Sequence, residues 1–131
     1  MHTKVEEACE RGKAAYLRGD FDQAIADYTE AIRLDPECVK AYHSRACAFA
    51  RKSHFDQAIA DYTETIRLEP TDAEAYYNRA SSYRRINDFE QAIADFIEAI
   101  RLGFALAYYG RAYVYWRKGE YDQARADYTE P

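Results

Sequence analysis

The sequence predicts an all-α protein made of stacked helical hairpins, and three observations carry that prediction. One segment recurs as FDQAIADYTEAIRLDP at 21–36, FDQAIADYTETIRLEP at 55–70, FEQAIADFIEAIRLGF at 89–104 and YDQARADYTE at 121–130, at spacings of 34, 34 and 32 residues. Inside it the apolar positions fall at helical intervals, as in Ala24, Ile25, Tyr28, Ala31 and Ile32. Only 5 Gly and 3 Pro occur in 131 residues, which argues against a loop-rich fold. A period of this size marks a solenoid, in which each repeat buries its apolar face only by stacking on its neighbours.

The recurring segment is the second helix of each hairpin. Upstream of it runs a second periodic stretch, Tyr42, Arg45, Ala46 and Phe49 in one copy, which gives a first helix of about 14 residues. Thr3 with Glu6, and Thr71 with Glu74, read as caps of first helices. Asp20 and Asp88 read as caps of second helices, with Gln23 and Gln91 completing capping boxes, while His54 and Glu120 fill that slot less well. Gly19 and Gly119 sit where a first helix ends in a left-handed residue; Asn87 can substitute there, and Ser53 is a weaker choice. Pro36 and Pro70 block continuation of the second helices.

These residues resemble the tetratricopeptide repeat (TPR) family, whose unit of 34 residues is a pair of antiparallel helices, and the resemblance covers nearly the whole chain. The family's small position is matched by Ala24, Ala58, Ala92 and Ala124, its aromatic by Tyr28, Tyr62, Phe96 and Tyr128, and its second small position by Ala31, Thr65 and Ala99. Its terminal proline is matched by Pro36 and Pro70 and becomes Phe104 in the third copy, where the linker is two residues short. The resemblance implies a right-handed α-solenoid in a single domain, 1–131, with repeats at about 5–38, 39–72, 73–104 and 105–131, the last one truncated. A fourth second helix that breaks off at Pro131 without a polar capping helix is expected to expose apolar surface. That surface would favour association or point to a longer parent protein, and Arg125 in place of Ile partly blunts it.

Composition narrows the function. The chain is 48% apolar and 31% charged with a net charge of −5, which fits a folded soluble protein. Its longest apolar run, Phe104 to Tyr109, is far too short to span a bilayer, and Glu6, Glu7 and Glu10 occupy the place of a signal-peptide core, so a cytoplasmic chain without a membrane partner is expected. Cys9, Cys38 and Cys47 form an odd set without C-x-x-C spacing, which disfavours a disulfide framework and a zinc cage. His43 and Cys47, four apart, with Cys9 from the preceding repeat, outline a conceivable soft-metal site or Cys–His nucleophile. No third group orients the histidine, so the pair reads as a helix surface with one imidazole and one inert thiol, the cysteines as a set read as free buried thiols, and no metal and no cofactor are expected. His2 and His54 read as a tail residue and a turn residue. No phosphate-loop, dinucleotide, zinc-protease or serine-hydrolase motif occurs, and no enzyme is expected.

Four arginines, Arg11, Arg45, Arg79 and Arg111, share one repeat position on the first helix. Four aspartates, Asp27, Asp61, Asp95 and Asp127, share one on the second, so a ladder of ion pairs is expected. The opposite side of the first helices, which TPR proteins use as an inner groove, carries in the first repeat Glu6, Cys9, Lys13, Tyr16 and Leu17, and in the second Lys40, His43, Cys47, Ala50 and Arg51. The third adds Glu74, Tyr77, Ser81, Arg84 and Arg85, and the fourth Leu106, Tyr109, Tyr113, Trp116 and Arg117. This face holds +4 and the remainder of the chain −9. A basic wall with Tyr and Trp anchors suits an acidic peptide.

The Lys/Asn clamp with which some TPR domains hold the acidic tails of chaperones is missing. Its positions hold Cys9, Lys13, Ser44, Glu74 and Asn78, or, one repeat on, His43, Cys47, Asn78, Leu106 and Gly110. Nucleic acid is not expected on an acidic chain. The predicted function is a non-catalytic scaffold that binds a peptide or helix of another protein. The alternatives are self-association through the last repeat and a regulatory fragment of a larger multidomain protein.

Overall fold

The computed structural model describes residues 3–129, so His2, Glu130 and Pro131, with the readings attached to them, lie outside the described residues. These residues hold eight α-helices: α1 (Lys4–Leu17), α2 (Phe21–Leu34), α3 (Val39–Arg51), α4 (Phe55–Leu68), α5 (Ala73–Arg85), α6 (Phe89–Arg101), α7 (Ala107–Arg117) and α8 (Tyr121–Thr129). They group into two compact units divided between Pro70 and Thr71, each built of two hairpins. In the first unit α1 packs on α2, α3 on α4, and α2 on α3; in the second α5 packs on α6, α7 on α8, and α6 on α7.

Helix ends follow local chemistry. Thr3, Asp20 and Asp88 accept the N–H of the residue three along, at 3.1, 3.1 and 3.4 Å. The return arm of the Asp20 capping box is not made. The Asp20 N–H is already spent on the Ala15 carbonyl at 2.9 Å, and the Gln23 amide reaches forward to Asp27 at 3.0 Å. Asp72, not Thr71, caps α5, its carboxylate accepting from Ala75 N at 3.2 Å. A carboxylate one position closer to the helix outcompetes the hydroxyl. His54 makes no side-chain cap. Gly19, Ser53, Asn87 and Gly119 all adopt positive φ, between 62° and 83°. Gly103 (φ 93°) does the same after α6, where the short linker lacks a proline, and the Phe104 N–H closes the end on Ala99 O at 2.9 Å.

The cores are built from alanine. In the first unit Ala8, Ala15, Ala24, Ala31, Ala41, Ala46, Ala48 and Ala58 are buried around Tyr28 and Tyr62; in the second Ala80, Ala92, Ala99 and Ala107 surround Phe96 and Val114. Methyl-sized side chains let helix backbones approach closely, and in each of the first three hairpins one ring, Tyr28, Tyr62 or Phe96, fills the remaining volume. The Tyr28 ring sits against Ser44 of the next hairpin through a hydrogen bond. The Phe96 ring takes the place a side chain at Gly110 would occupy, since a Cβ there would lie 2.4 Å from it.

The ion-pair ladder is present in three hairpins. Arg45 grips Asp61 with Nε and Nη2, both at 2.8 Å. Arg79 holds Asp95 at 2.7 and 2.8 Å, and Arg111 holds Asp127 at 2.8 and 2.7 Å. Each arginine also lies between two rings of its own helix, three residues before and four after: Tyr42 and Phe49, Tyr76 and Tyr83, Tyr108 and Tyr115, all with centroids 5.6–5.9 Å from the guanidinium carbon. Hydrogen bonding to the aspartate holds each of these arginines above its ordinary pKa, against the opposing pull of burial. In the first hairpin the flanking residues are Ala8 and Ala15. Without the rings Arg11 stays 56% exposed and only approaches Asp27, at 3.8 Å.

Candidate functional site

In the first unit the predicted face gathers around a pocket of about 240 Å³ lined by Lys13, Tyr16, Leu17, Tyr28, Ser44 and Cys47. Lys13 on α1 is exposed and Leu17 is 74% exposed, so the rim combines a cation with an apolar edge. Tyr16 meets Phe21 edge-on at 5.3 Å, and the Arg51 guanidinium lies 4.8 Å from the Phe21 centroid and 5.9 Å from that of Tyr16. Arg51 is therefore positioned by the joint between α2 and α3 as well as presented to solvent. His43 packs edge-on to Tyr62 at 5.8 Å, whose hydroxyl is 3.4 Å from Cys47 Sγ, and Lys40 is exposed at the start of α3.

Cys9 is a free buried thiol, as the cysteine set predicts, and does not line the groove face on which its repeat position places it. It is 4% exposed and part of the core, where burial pushes its thiol up to about 11, with Cys38 adding to the rise. A thiol at that value is almost entirely protonated at neutral pH and is a poor nucleophile or metal ligand. Among the described residues no three His, Cys, Asp or Glu side chains gather as a metal site, and no helix is long and apolar enough to cross a membrane.

In the second unit the aromatic residues converge with arginines. Tyr113 on α7 lies 4.9 Å from the Arg84 guanidinium of α5 and 6.0 Å from that of Arg117, which donates to the Tyr113 hydroxyl at 3.3 Å. That hydrogen bond, then the nearby positive charges of Arg117 and Arg84, lowers the Tyr113 pKa below the ordinary tyrosine value. The sign favours the phenolate, so Tyr113 is expected to ionise early on alkaline titration. Replacing it by Phe removes the lowest step in the absorbance of tyrosinate, and an unchanged curve contradicts this cluster.

Trp116 (53% exposed) stands 6.2 Å from Tyr113, and Tyr109 (50% exposed) stands 6.3 Å from Tyr128. Tyr77 is half-buried, packed on Phe96 and Phe104 at 5.7 and 5.0 Å, so part of its surface belongs to the core. Arg85 is exposed at the end of α5. Arg117 lies 5.5 Å from the Phe89 centroid, the same arrangement as Arg51 on Phe21. Sequence reasoning missed Tyr28 and Ser44 in the first pocket and Phe21 and Phe89 beneath the arginines. The leading aromatic of every recurring segment was the available signal.

The arrangement offers half-exposed rings with cations stacked on them. Comparisons of the sequence with known families match residues 43–101 and 77–130 to the tetratricopeptide repeat and residues 12–53 to the TPR repeat. Among solved structures the chain is similar to a MamA protein at 30% identity and a TM-score of 0.92, over 98% of this chain and 71% of that one. It is similar to the Arabidopsis OM64 TPR domain at 29% identity and 0.79, over 84% of this chain and 93% of that domain. It shares its fold with MamA of Desulfovibrio magneticus RS-1 at 20% identity and 0.91, over 95% of this chain and 72% of that one. With the repeat legible in the residues, the paired helices and these matches, the chain belongs to the tetratricopeptide repeat family.

Proposed function

We propose that the chain is a non-catalytic scaffold that binds a peptide or helix of another protein, with an acidic segment as the favoured ligand. TPR proteins are in general scaffolds for protein–protein interaction. The observation that carries the finer reading is the α5–α7 face of the second unit, where Tyr109 and Trp116 are half exposed beside Tyr113 and its two arginines. Rigid aromatics supply contact area at low entropic cost, and Arg adds charge to a stacked surface, the combination that dominates interface energies. Lys13 in the first unit's pocket, and Arg51 over the Tyr16 ring that lines it, carry the same sign of charge.

The test is selection of binders from a library of displayed peptides, followed by calorimetry. Acidic peptides with an aromatic or aliphatic anchor are expected to be enriched. Tyr109→Ala/Trp116→Ala is expected to weaken their binding at least about tenfold, and added salt to weaken it further. Equal binding by wild type and double variant, or enrichment indifferent to charge, overturns the reading.

A further inference from the structure

We propose that the last hairpin of one copy docks on the first helix of a second copy, reproducing between molecules the joint each unit uses between its own hairpins. The two internal joints share one rule. At α2/α3 the Arg51 guanidinium covers Phe21, Lys52 pairs with Asp22, and Arg45 donates to the Thr29 hydroxyl at 3.1 Å. At α6/α7 Arg117 covers Phe89 and Lys118 pairs with Glu90 at 2.5 Å. An aromatic and then an acidic residue open the second helix, and they receive the last side chain of the next first helix and that of the residue capping its end.

Helix α8 opens with the same pair, Tyr121 and Asp122, and both are uncovered: Tyr121 is 59% exposed and the Asp122 side chain 91%. Tyr128, which occupies the position of the buried Tyr28, is 49% exposed, and Thr129 repeats Thr29. Helix α1 supplies the complement at the positions of Arg51, Lys52 and Arg45, namely Leu17, Arg18 and Arg11. Leu17 is 74% exposed, and Arg11 is mostly exposed because its grip on Asp27 is loose. Against a second copy Leu17 covers Tyr121, Arg18 pairs with Asp122, and Arg11 reaches Thr129. Asp122 pairs with Arg125 on its own helix, an exposed contact that is easily exchanged. The charges match at the contact, where the C-terminal half of the first helix and its cap carry Arg11, Lys13 and Arg18 and the last helix opens on Asp122. Because the two surfaces differ, the contact is head-to-tail and builds open chains or rings, not a closed two-fold dimer.

This inference does not depend on the peptide-binding reading. The experiment is sedimentation velocity on the full chain from micromolar to near-millimolar concentration. The wild type is expected to grow in mass with concentration. Asp122→Arg and Arg18→Glu are each expected to weaken association at least about tenfold, and the two combined in one chain to restore it, since the pair is then reversed. Circular dichroism checks that every variant keeps its helices, and peptide capture by Asp122→Arg stays as in the wild type. A wild type that is monomeric throughout, or a double variant no better than the singles, overturns the proposal. Association blocked by neither charge reversal assigns the exposed α8 face to a different occupant and does the same.

Discussion

Replacing Phe96 by alanine is expected to lower the free energy of unfolding by about 3–5 kcal/mol. The ring is 1% exposed and is the largest fully buried side chain in the second unit. It lies against Gly110 and meets Tyr77 at 5.7 Å, and around it are Ala92, Ala99 and Ala107, none long enough to fill the space it leaves. The cost therefore combines lost burial with a cavity that helices already in close contact cannot collapse. Urea unfolding followed by circular dichroism reads the change as a lower midpoint. Ile97→Ala, on the neighbouring residue at 44% exposure, is the control and is expected to cost about 0.5 kcal/mol or less. A loss below about 1 kcal/mol for Phe96→Ala shows that the ring is not the filler of this hairpin.

Asp95→Ala is expected to cost about 3 kcal/mol, because it removes the carboxylate that Arg79 grips with two hydrogen bonds from between Tyr76 and Tyr83. The arginine side chain is only 17% exposed and the aspartate 7%, so water screens little of the loss. The equivalent change in the first hairpin, Asp27→Ala, is expected to cost about 1 kcal/mol or less, since Arg11 is mostly solvated. Removing both members of the inner pair, Arg79→Met with Asp95→Leu, is expected to recover most of the stability lost by Asp95→Ala. Equal costs at Asp95 and Asp27 contradict the role assigned to the flanking rings.

The hairpins, the bidentate pairs and the left-handed residues at Ser53 and Asn87 were legible because each is fixed by a local period or by the same position in another copy. What escaped the sequence was competition between neighbours. Thr71 and Asp72 are both competent caps, and only the backbone decides that the helix starts at Ala73. Gln23 sits at capping-box spacing, yet the Asp20 N–H is already committed to the preceding helix. Cys9 lies on the solvent side of a helical wheel but is covered within its unit, beside Cys38. At the site, charge and aromatic content were readable from one helix face, whereas the seating of Arg51 on Phe21 and of Arg117 on Phe89 depends on contacts between hairpins. Position in a single repeat carries no record of these.

The inner ion pairs join residues 16 apart, and the basic-to-acidic contacts between hairpins span 30 and 28. No such bond waits on a distant stretch of polypeptide, which places the chain among proteins whose folding is limited little by the search for remote contacts. During synthesis each hairpin can set as soon as it clears the ribosome, and within each unit the first hairpin is already in place as a template for the second.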